Sequence, residues 1–401
     1  MPPSSIFTIY NSQTRKKEKF ISENNKVGLY VCGVTPYDIT HLGHAATYVF
    51  FDLVVRYLEY LGFTVTYIQN VTDIDDDILQ KAKREKINWR TLGEKNFADF
   101  LKDLKWLNIR PPDFFPRATD HIKEIIVLNK ILLDKGYTYE KKGNLYFAIK
   151  KYKGYGRLSR LSTAAMFAIS KERGNNPDDP RKKNPLDFVL WQAQAPGEPG
   201  WDSPWGSGRP GWHIECSSMS MKYLGQTLDI HGGGGDLIYP HHESEIAQSE
   251  SATGKKFARF FMHTAMLNYQ GKKMSKSLGN MVFVRDLKNK YSPNTIRLLL
   301  LNHHYRKPWE FTWQELEKSQ QLSDLFKKVW LTPSTSGKEM DIDLPKHQFF
   351  QALNDDLNTP QAINILKELS RNLITSRTFD ISSAKAFLNT CFNILGLMVE
   401  Y

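Results

Sequence analysis

The segment VGLYVCGVTPYDITHLGHA, residues 27–45, decides the fold of this 401-residue chain. It begins as a short apolar strand at 27–31, breaks at the Cys-Gly pair 32–33 and turns through Thr-Pro at 35–36. A helical pattern then starts near the second histidine and continues to about residue 61. The segment therefore predicts a strand, a tight turn and a helix N-terminus in succession.

The start of this helix is a candidate anion site. Free N–H groups at a helix N-terminus and the helix dipole favour phosphate. His41 and His44 lie three residues apart there, so they can face one ligand and donate hydrogen bonds to phosphate oxygens. Cys32 ends the strand, which is where open α/β sheets place their ligands.

The next residues complete a βαβ unit. The amphipathic stretch TYVFFDLVVRYLEYLG, residues 47–62, is followed by a second apolar strand, TVTYIQNV, residues 64–71. Two strands joined through a helix indicate a parallel sheet. The acidic run 73–77 after the second strand could bind a metal. Caps and first-turn acids of the next helix are favoured, because the run lacks the calcium-loop pattern.

The remaining chain predicts an insertion and a helical end. Helical patterns cover 76–107 and 119–135, and a hairpin is predicted around Lys142-Gly143. The fold class is α/β: a Rossmann-type doubly wound parallel sheet with an insertion and a small C-terminal helical unit. The predicted domains are a Rossmann-type core at 1–110 and 212–292, an inserted connective segment at 111–211, a helical segment at 293–330, a linker at 331–345 and a short helical bundle at 346–401.

Composition limits the class and location of the protein. The net charge of +11 permits contact with nucleic acid, and a Lys-rich proteome explains it equally well. There is no long apolar run and no apolar signal core, so we expect neither membrane contact nor export. Three cysteines are too few for a disulfide framework, which favours a reducing cytoplasm.

A second signature lies far downstream. The sequence KMSKS, residues 273–277, offers Lys273 and Lys276 with two hydroxyls in a loop suited to a polyphosphate. Together, HLGH and KMSKS resemble the two signatures of class I aminoacyl-tRNA synthetases, whose first motif reads HIGH. The resemblance implies a class I synthetase core and Mg²⁺-bound ATP as substrate. It also implies attack of an amino acid carboxylate on the α-phosphorus, with His41, His44, Lys273 and Lys276 as the catalytic residues.

A metal site is also possible. Cys32, Cys216, His241 and Glu245 offer two thiolates, an imidazole and a carboxylate, which suit zinc. His241 and Glu245 can converge because they are spaced i, i+4. The spacing of the four residues is scattered, however, and each cysteine alone would be a buried small hydrophobe. Cys391 is predicted to lie in a helix core.

Longer motifs narrow the resemblance. CGVTPYD, GRPGWHIECS, DIHGGGGDLIYPHHESEIAQSE and KMSKSLGN are similar to the cysteinyl-tRNA synthetase family over roughly residues 6–330. The resemblance implies an ATP-dependent, cysteine-activating enzyme whose zinc, held by the four residues above, binds the substrate thiolate. It implies substrate contacts by Cys32, Gly33, Thr35, Thr47, Asn70, Thr72, Trp212, Gly234 and Asp236. The HGGGGD segment is expected to be a Gly-rich turn near adenosine.

The acceptor of the cysteinyl group separates two branches of this family. TPYDITHLGHAATY and residues 172–187 resemble the cysteine ligase of mycothiol biosynthesis, which acylates the amine of an aminosugar–inositol. That branch lacks an anticodon-binding domain, and the chain's end at 401 favours it. Glu245 and the positive charge favour the alternative, charging of tRNA(Cys). We therefore expect a small amine acceptor, with tRNA(Cys) as the alternative and a non-catalytic nucleotide- or RNA-binding paralogue as a third hypothesis.

Overall fold

The computed structural model describes residues 6–274, 278–376 and 378–399. Lys276 and its neighbouring serines lie outside these residues. The elements of the first half are β1 (Thr8–Asn11), β2 (Lys16–Lys19), β3 (Lys26–Val34), α1 (Leu42–Tyr60), β4 (Thr64–Val71), α2 (Asp76–Glu85), α3 (Trp89–Trp106) and α4 (Ile122–Asp134). The predicted strand, helix and strand after residue 26 are therefore present.

The inserted part follows, and the chain then returns to the core. The elements are β5 (Thr138–Lys141), β6 (Asn144–Phe147), α5 (Thr163–Glu172), β7 (Phe188–Ala193), β8 (Gly208–Pro210), α6 (Trp212–Leu224), β9 (Leu228–Gly234), α7 (His241–Thr253), β10 (Ala258–Thr264), β11 (Leu267–Tyr269) and β12 (Lys272–Lys273). The C-terminal part contains α8 (Val284–Leu287), α9 (Pro293–Leu301), β13 (Trp309–Glu310), α10 (Trp313–Leu331), β14 (Lys338–Glu339), α11 (Asp343–Asn354), α12 (Thr359–Thr375), β15 (Phe379–Asp380) and α13 (Ser382–Leu395).

The core is a four-stranded parallel sheet in the order β10-β9-β3-β4. Helix α1 packs against β4, β9 and β10, whereas α6 packs against β3, β4 and β9. The crossover helices α1 and α7 join neighbouring parallel strands, as a βαβ topology requires. The α/β parallel-sheet prediction is confirmed, and the sheet brings the carboxyl ends of β3, β9 and β10 to one edge.

Strand β3 runs past the predicted break. It continues through Cys32 and Gly33 to Val34, with an irregular register against β4 between Val31 and Val34. A Cβ on Gly33 would lie 1.7 Å from the carbonyl oxygen of Asn70, so only glycine allows this approach. The Gly33 N–H donates to Asn70 Oδ1 at 2.8 Å. Gly33 therefore keeps the two strand ends together instead of ending the strand.

The insertion forms a second sheet. Strands β5 to β8 are antiparallel in chain order, and Lys141 pairs with Asn144 across the predicted hairpin. Residues 150–211, which have little periodicity, nevertheless contain α5, β7 and β8. These elements depend on long-range hydrogen bonds, such as Tyr139 Oη donating to Asp187 Oδ2 at 2.8 Å, which a periodicity argument cannot detect.

The C-terminal helices are fixed to the core by a buried ion pair. Arg297 of α9 donates to Asp52 Oδ2 of α1 at 2.6 Å and to the carbonyl oxygen of Leu395 in α13 at 2.7 Å. Both charged side chains are fully buried. Cys391 is buried in α13, as predicted. The predicted domain boundaries stay a prediction. No helix in the described residues is long and apolar enough to cross a bilayer.

Candidate active site

The two histidines of HLGH occupy the N-terminus of α1. His41 is the N-cap: its Nδ1 accepts from the N–H groups of Gly43 and His44 at 3.1 and 3.3 Å. The rings of His41 and His44 stack with their centroids 3.8 Å apart. Because Nδ1 of His41 is an acceptor, the ring proton is assigned to Nε2. His41 can therefore donate a hydrogen bond from Nε2 while it is neutral.

Both rings favour the neutral state. Burial, followed by the neighbouring His44, lowers the pKa of His41 to about 2. Burial also lowers the pKa of His44, although the carboxylates of Asp236 and Asp38 oppose that shift. Neutral imidazoles at a helix N-terminus can donate to a polyphosphate, and they add no charge that the free helix N–H groups would repel.

These histidines line a cavity of about 310 Å³. We call it the HLGH cavity. Among the predicted site residues, those that line it are Cys32, Gly33, Thr35, His41, His44, Thr47, Gly234, Asp236 and Lys273. Thr47 Oγ1 also lies 2.9 Å from Thr264 Oγ1 at the end of β10. The sheet edge therefore gathers residues from both sequence signatures around one space.

The HGGGGD segment is part strand and part turn, because β9 ends at Gly234 and a 3-10 turn begins at Gly235. Gly232 and Gly234 are part of strand β9. A Cβ on Gly232 would lie 2.3 Å from the ring of Phe51 in α1, and one on Gly234 would lie 2.5 Å from Asp236 Oδ1. The glycines therefore allow close packing of helix, strand and Asp236, which a turn reading of the sequence misses.

The four predicted zinc ligands meet beneath this cavity. Cys32 Sγ lies 4.0 Å from Cys216 Sγ and 3.6 Å from Glu245 Oε1, and His241 Nε2 lies 3.1 Å from Glu245 Oε1. One ligand atom from each residue lies within 4.8 Å of the others. All four side chains are buried. The strand end of β3, helix α6 and helix α7 therefore supply one compact donor set.

The donor set fits a zinc ion chemically. Among the described residues, the buried Glu245 Oε2 has no hydrogen-bond partner, which is costly for a carboxylate unless a cation is nearby. Burial, with smaller effects of Cys216 and Glu245, raises the pKa of the Cys32 thiol well above its usual value. The protein alone therefore disfavours the thiolate, whereas a bound cation favours it. Two sulfurs, one imidazole and one carboxylate are ligands that zinc accepts.

Further histidines, which are not among the predicted site residues, surround these ligands. His213 Nδ1 lies 2.8 Å from His241 Nδ1, as expected of a partner that orients a metal-binding imidazole. His231 and His242 form a second possible donor group with Cys32 and Glu245. In the sequence, His213 stands in the pair WH, His242 in the pair HH and His231 in DIH, but only the fold shows which ring turns inward.

The remaining predicted substrate residues lie at different depths. Trp212 stacks on His241 with ring centroids 4.3 Å apart, and it lines a neighbouring cavity of about 450 Å³, the Trp212 cavity, which shares Thr35 with the first. Asn70 and Thr72 are buried behind the residues that line these cavities. The amide of Asn70 accepts from the Gly33 N–H and donates to Thr72 Oγ1. Asn70 therefore stabilises the end of strand β3, where Gly33 lines the HLGH cavity.

Most of the acidic residues after β4 form the N-terminus of helix α2. Asp75 caps this helix by accepting from the Ile78 N–H at 2.8 Å, and Asp76 and Asp77 occupy its first turn. Asp73 instead accepts from Thr119 at 2.6 Å. This agrees with the preferred reading of the run as helix caps.

The low pKa of His41 predicts an acid-sensitive fold. An unfolded histidine has a pKa near 6.5, so below that pH the unfolded chain binds a proton that folded His41 does not bind. The free energy of unfolding should therefore fall as the pH decreases. In His41→Asn, which keeps a good N-cap, the fall between pH 7 and pH 5 should be smaller by about 2 kcal/mol. Urea unfolding at both pH values measures this difference, and equal falls in parent and variant would contradict it.

Comparisons with known proteins show which families this chain resembles. Residues 18–321 match the family model described as tRNA synthetases class I (C) catalytic domain, and residues 348–400 match the DALR domain. A solved structure, Mycobacterium tuberculosis methionyl-tRNA synthetase in complex with methionyl-adenylate, superposes with a TM-score of 0.66 at 15% identity, covering 92% of this chain and 90% of that one. That likeness shows the fold.

Curated relatives are much closer in sequence. The protein named Cysteine--tRNA ligase from Aquifex aeolicus is 41% identical, covering 98% of this chain and 84% of its own length. The Carboxydothermus hydrogenoformans protein of the same name is 46% identical, covering 97% of this chain and 86% of its own length. The corresponding Thermococcus onnurineus protein is 44% identical, with coverages of 90% and 79%.

These findings do not support the small amine acceptor that the sequence favoured. The match of residues 348–400 to the DALR domain does not support a chain without an anticodon-binding module. The named relatives do not support the mycothiol-type branch either, and they agree better with the alternative. The resemblance of residues 172–187 to that branch is therefore not diagnostic. Because a catalytic-domain match spans most of the chain and relatives above 40% identity cover nearly all of it, the chain belongs to the class I cysteinyl-tRNA synthetase family.

Proposed function

We propose that this protein activates L-cysteine with ATP and transfers the cysteinyl group to tRNA(Cys). Membership of the family makes it an ATP-dependent ligase that activates cysteine. The acceptor is the proposed part. The observation that carries it is the identity to proteins named Cysteine--tRNA ligase over nearly the whole chain, including the C-terminal unit.

In the first step the cysteine carboxylate attacks the α-phosphorus of ATP. A phosphorus–oxygen bond to the carboxylate forms, and the bond to pyrophosphate breaks. His41 and His44 donate to phosphate oxygens from the start of α1, and Lys273, which lines the same cavity, meets the charge that grows on pyrophosphate. Such fixed donors, with positioning, are the main protein contribution to this kind of transfer. ATP enters as its magnesium complex.

The nucleoside occupies the β9 side of the HLGH cavity. Asp236, which follows the glycine-rich end of β9, accepts hydrogen bonds from the ribose hydroxyls. The absence of a side chain at Gly234 lets the adenosine approach the backbone, and Thr47 and Thr264 close the cavity near the reacting carboxyl group. With the nucleoside placed there, the amino acid binds on the side of the HLGH cavity that Cys32 and Gly33 line.

The cysteine side chain is held on the Cys32 side of the cavity. Cys32, Cys216, His241 and Glu245 would hold zinc, and zinc, when bound, supplies a position for the substrate thiolate. Trp212 stacks on His241 and limits the volume beside it. His213 holds the other ring nitrogen of His241. The chain's own residues therefore fix the direction from which a short side chain can enter.

The second step is an acyl transfer without an enzyme nucleophile. A ribose hydroxyl at the 3′ end of tRNA attacks the carbonyl carbon of cysteinyl-adenylate, an ester forms, and AMP leaves. The net charge of +11 suits a polyanionic acceptor. A cytoplasmic location follows from this function and stays a prediction.

This assignment predicts strong discrimination against serine. A pocket separates cysteine from serine poorly by shape, because the two side chains differ little in size. In amino-acid-dependent ATP–pyrophosphate exchange, serine should support less than about a tenth of the cysteine rate, a factor at the low end of what a small steric difference gives. Rates within that factor would show that sulfur is not recognised. Alanine serves as the control for size alone.

A further inference from the structure

Residues 172–187, from the end of α5 to the start of β7, form a hydrogen-bonded segment of the insertion, which we call the bracket. Tyr146 Oη donates to Asp179 Oδ2 at 2.8 Å, and Arg181 Nε donates to Asp179 Oδ1 at 2.8 Å. Lys182 Nζ donates to Asn175 Oδ1 at 2.9 Å. A segment with so many side-chain bonds has a defined shape. The proposed function gives this segment no role so far.

Arg173, near the start of the bracket, contacts a residue of the parallel-sheet core. Arg173 caps the C-terminus of α5, and its Nη1 lies 3.4 Å from Asp236 Oδ2. Lys273 Nζ lies 4.0 Å from the same oxygen. Arg173 is 22% exposed, whereas Lys273 is 38% exposed. Of these two side chains, the arginine is therefore the more enclosed.

The two oxygens of Asp236 have different surroundings. Oδ2 faces both cations, whereas Oδ1 faces Gly234, where an added Cβ would lie 2.5 Å away. In the described part of the chain no hydrogen bond to Oδ1 is recorded, and Gly234 lines the HLGH cavity. A carboxylate accepts on both oxygens, so holding one oxygen fixes the direction of the other.

We infer that Arg173 is a positioning residue that orients Asp236 toward the ribose of the bound nucleotide. The inference rests on the proposed function, in which Asp236 accepts from the ribose hydroxyls. The insertion thereby contributes to nucleotide selection, although it lies outside the parallel sheet. Arg173 also lines the Trp212 cavity, so it stands where the two cavities adjoin.

The test compares ATP with 2′-deoxyATP and 3′-deoxyATP in cysteine-dependent pyrophosphate exchange. The parent should prefer ATP by about tenfold or more in kcat/KM, because a hydrogen bond to a charged group is lost with each hydroxyl. In Arg173→Gln the preference should fall to less than about a third of the parent value. A merely structural role of Arg173 would lower all three rates together and leave this ratio unchanged.

Arg181→Gln is the matched control, because it loosens the same bracket without touching Asp236. Its melting temperature should fall while its nucleotide preference stays at the parent value. If Arg173→Gln does not fold, Arg173→Met is measured in its place. An unchanged preference in the Arg173 variant, or an equal loss in Arg181→Gln, would overturn the inference and leave the proposed function intact. A parent that uses the deoxynucleotides as well as ATP would overturn both the ribose role of Asp236 and the inference.

Discussion

Cys216→Ser should lose bound zinc and cysteine activation together. Cys216 Sγ lies 4.0 Å from Cys32 Sγ in a buried group with His241 and Glu245. A serine hydroxyl is a poorer ligand than a thiolate for this ion. Loss of an outer partner of a metal ligand already costs about 10–100-fold in affinity or activity, so loss of a ligand should cost more. Elemental analysis and pyrophosphate exchange measure the two effects on the same preparation.

Cys391→Ser is the matched control for that experiment. Cys391 is also buried, but it lies in α13, and it belongs to neither group of possible metal ligands in the described residues. It should keep about one zinc per chain and the parent exchange rate. Full exchange activity in Cys216→Ser, or in enzyme freed of metal, would contradict the assignment of this cluster.

His44→Ala should slow cysteine-dependent pyrophosphate exchange by about 10²–10³, the typical loss when one fixed donor is removed from a transition state. His44 lines the HLGH cavity and stacks on His41. Its donor is aimed at charge that develops on the phosphates, so cysteine binding should change little. The exchange rate at saturating substrates and the binding of cysteine without ATP separate these effects.

His303→Ala controls for the loss of a half-buried imidazole. His303 stacks on Trp309 and does not line the HLGH cavity. It should keep the parent exchange rate even if the protein becomes less stable. An exchange rate in His44→Ala within about threefold of the parent would show that His44 does not stabilise the transition state.

The sequence predicted the parallel core well because the information there is local. The strand 64–71 is predicted from its apolar residues and the helix before it from its amphipathic pattern, and the structure places them within a residue or two of the expected ends. The continuation of β3 through Gly33 was missed, since it depends on the carbonyl group of Asn70 on the neighbouring strand. Such a contact exists only after the two strands pair.

The candidate site was predicted less evenly. Spacing alone leaves the zinc ligands open, whereas the resemblance to a family groups Cys32 with Glu245, and the structure places Cys32 Sγ 3.6 Å from Glu245 Oε1. His213 was not expected, because the register of α6 against α7 decides which ring meets His241. The contact of Arg173 with Asp236 joins two units more than sixty positions apart, and no local pattern encodes it.

The acceptor is the central claim, and one charging experiment tests it most directly. Enzyme, ATP and labelled cysteine are incubated with tRNA carrying the cysteine anticodon, with other tRNAs, and with an aminosugar–inositol amine. The salt concentration is about 0.15 M, at which binding by charge alone is weak. We expect near-stoichiometric label on the tRNA with the cysteine anticodon, and none on the other tRNAs or the amine. Label on the amine, with the tRNA left uncharged, would contradict the proposed function.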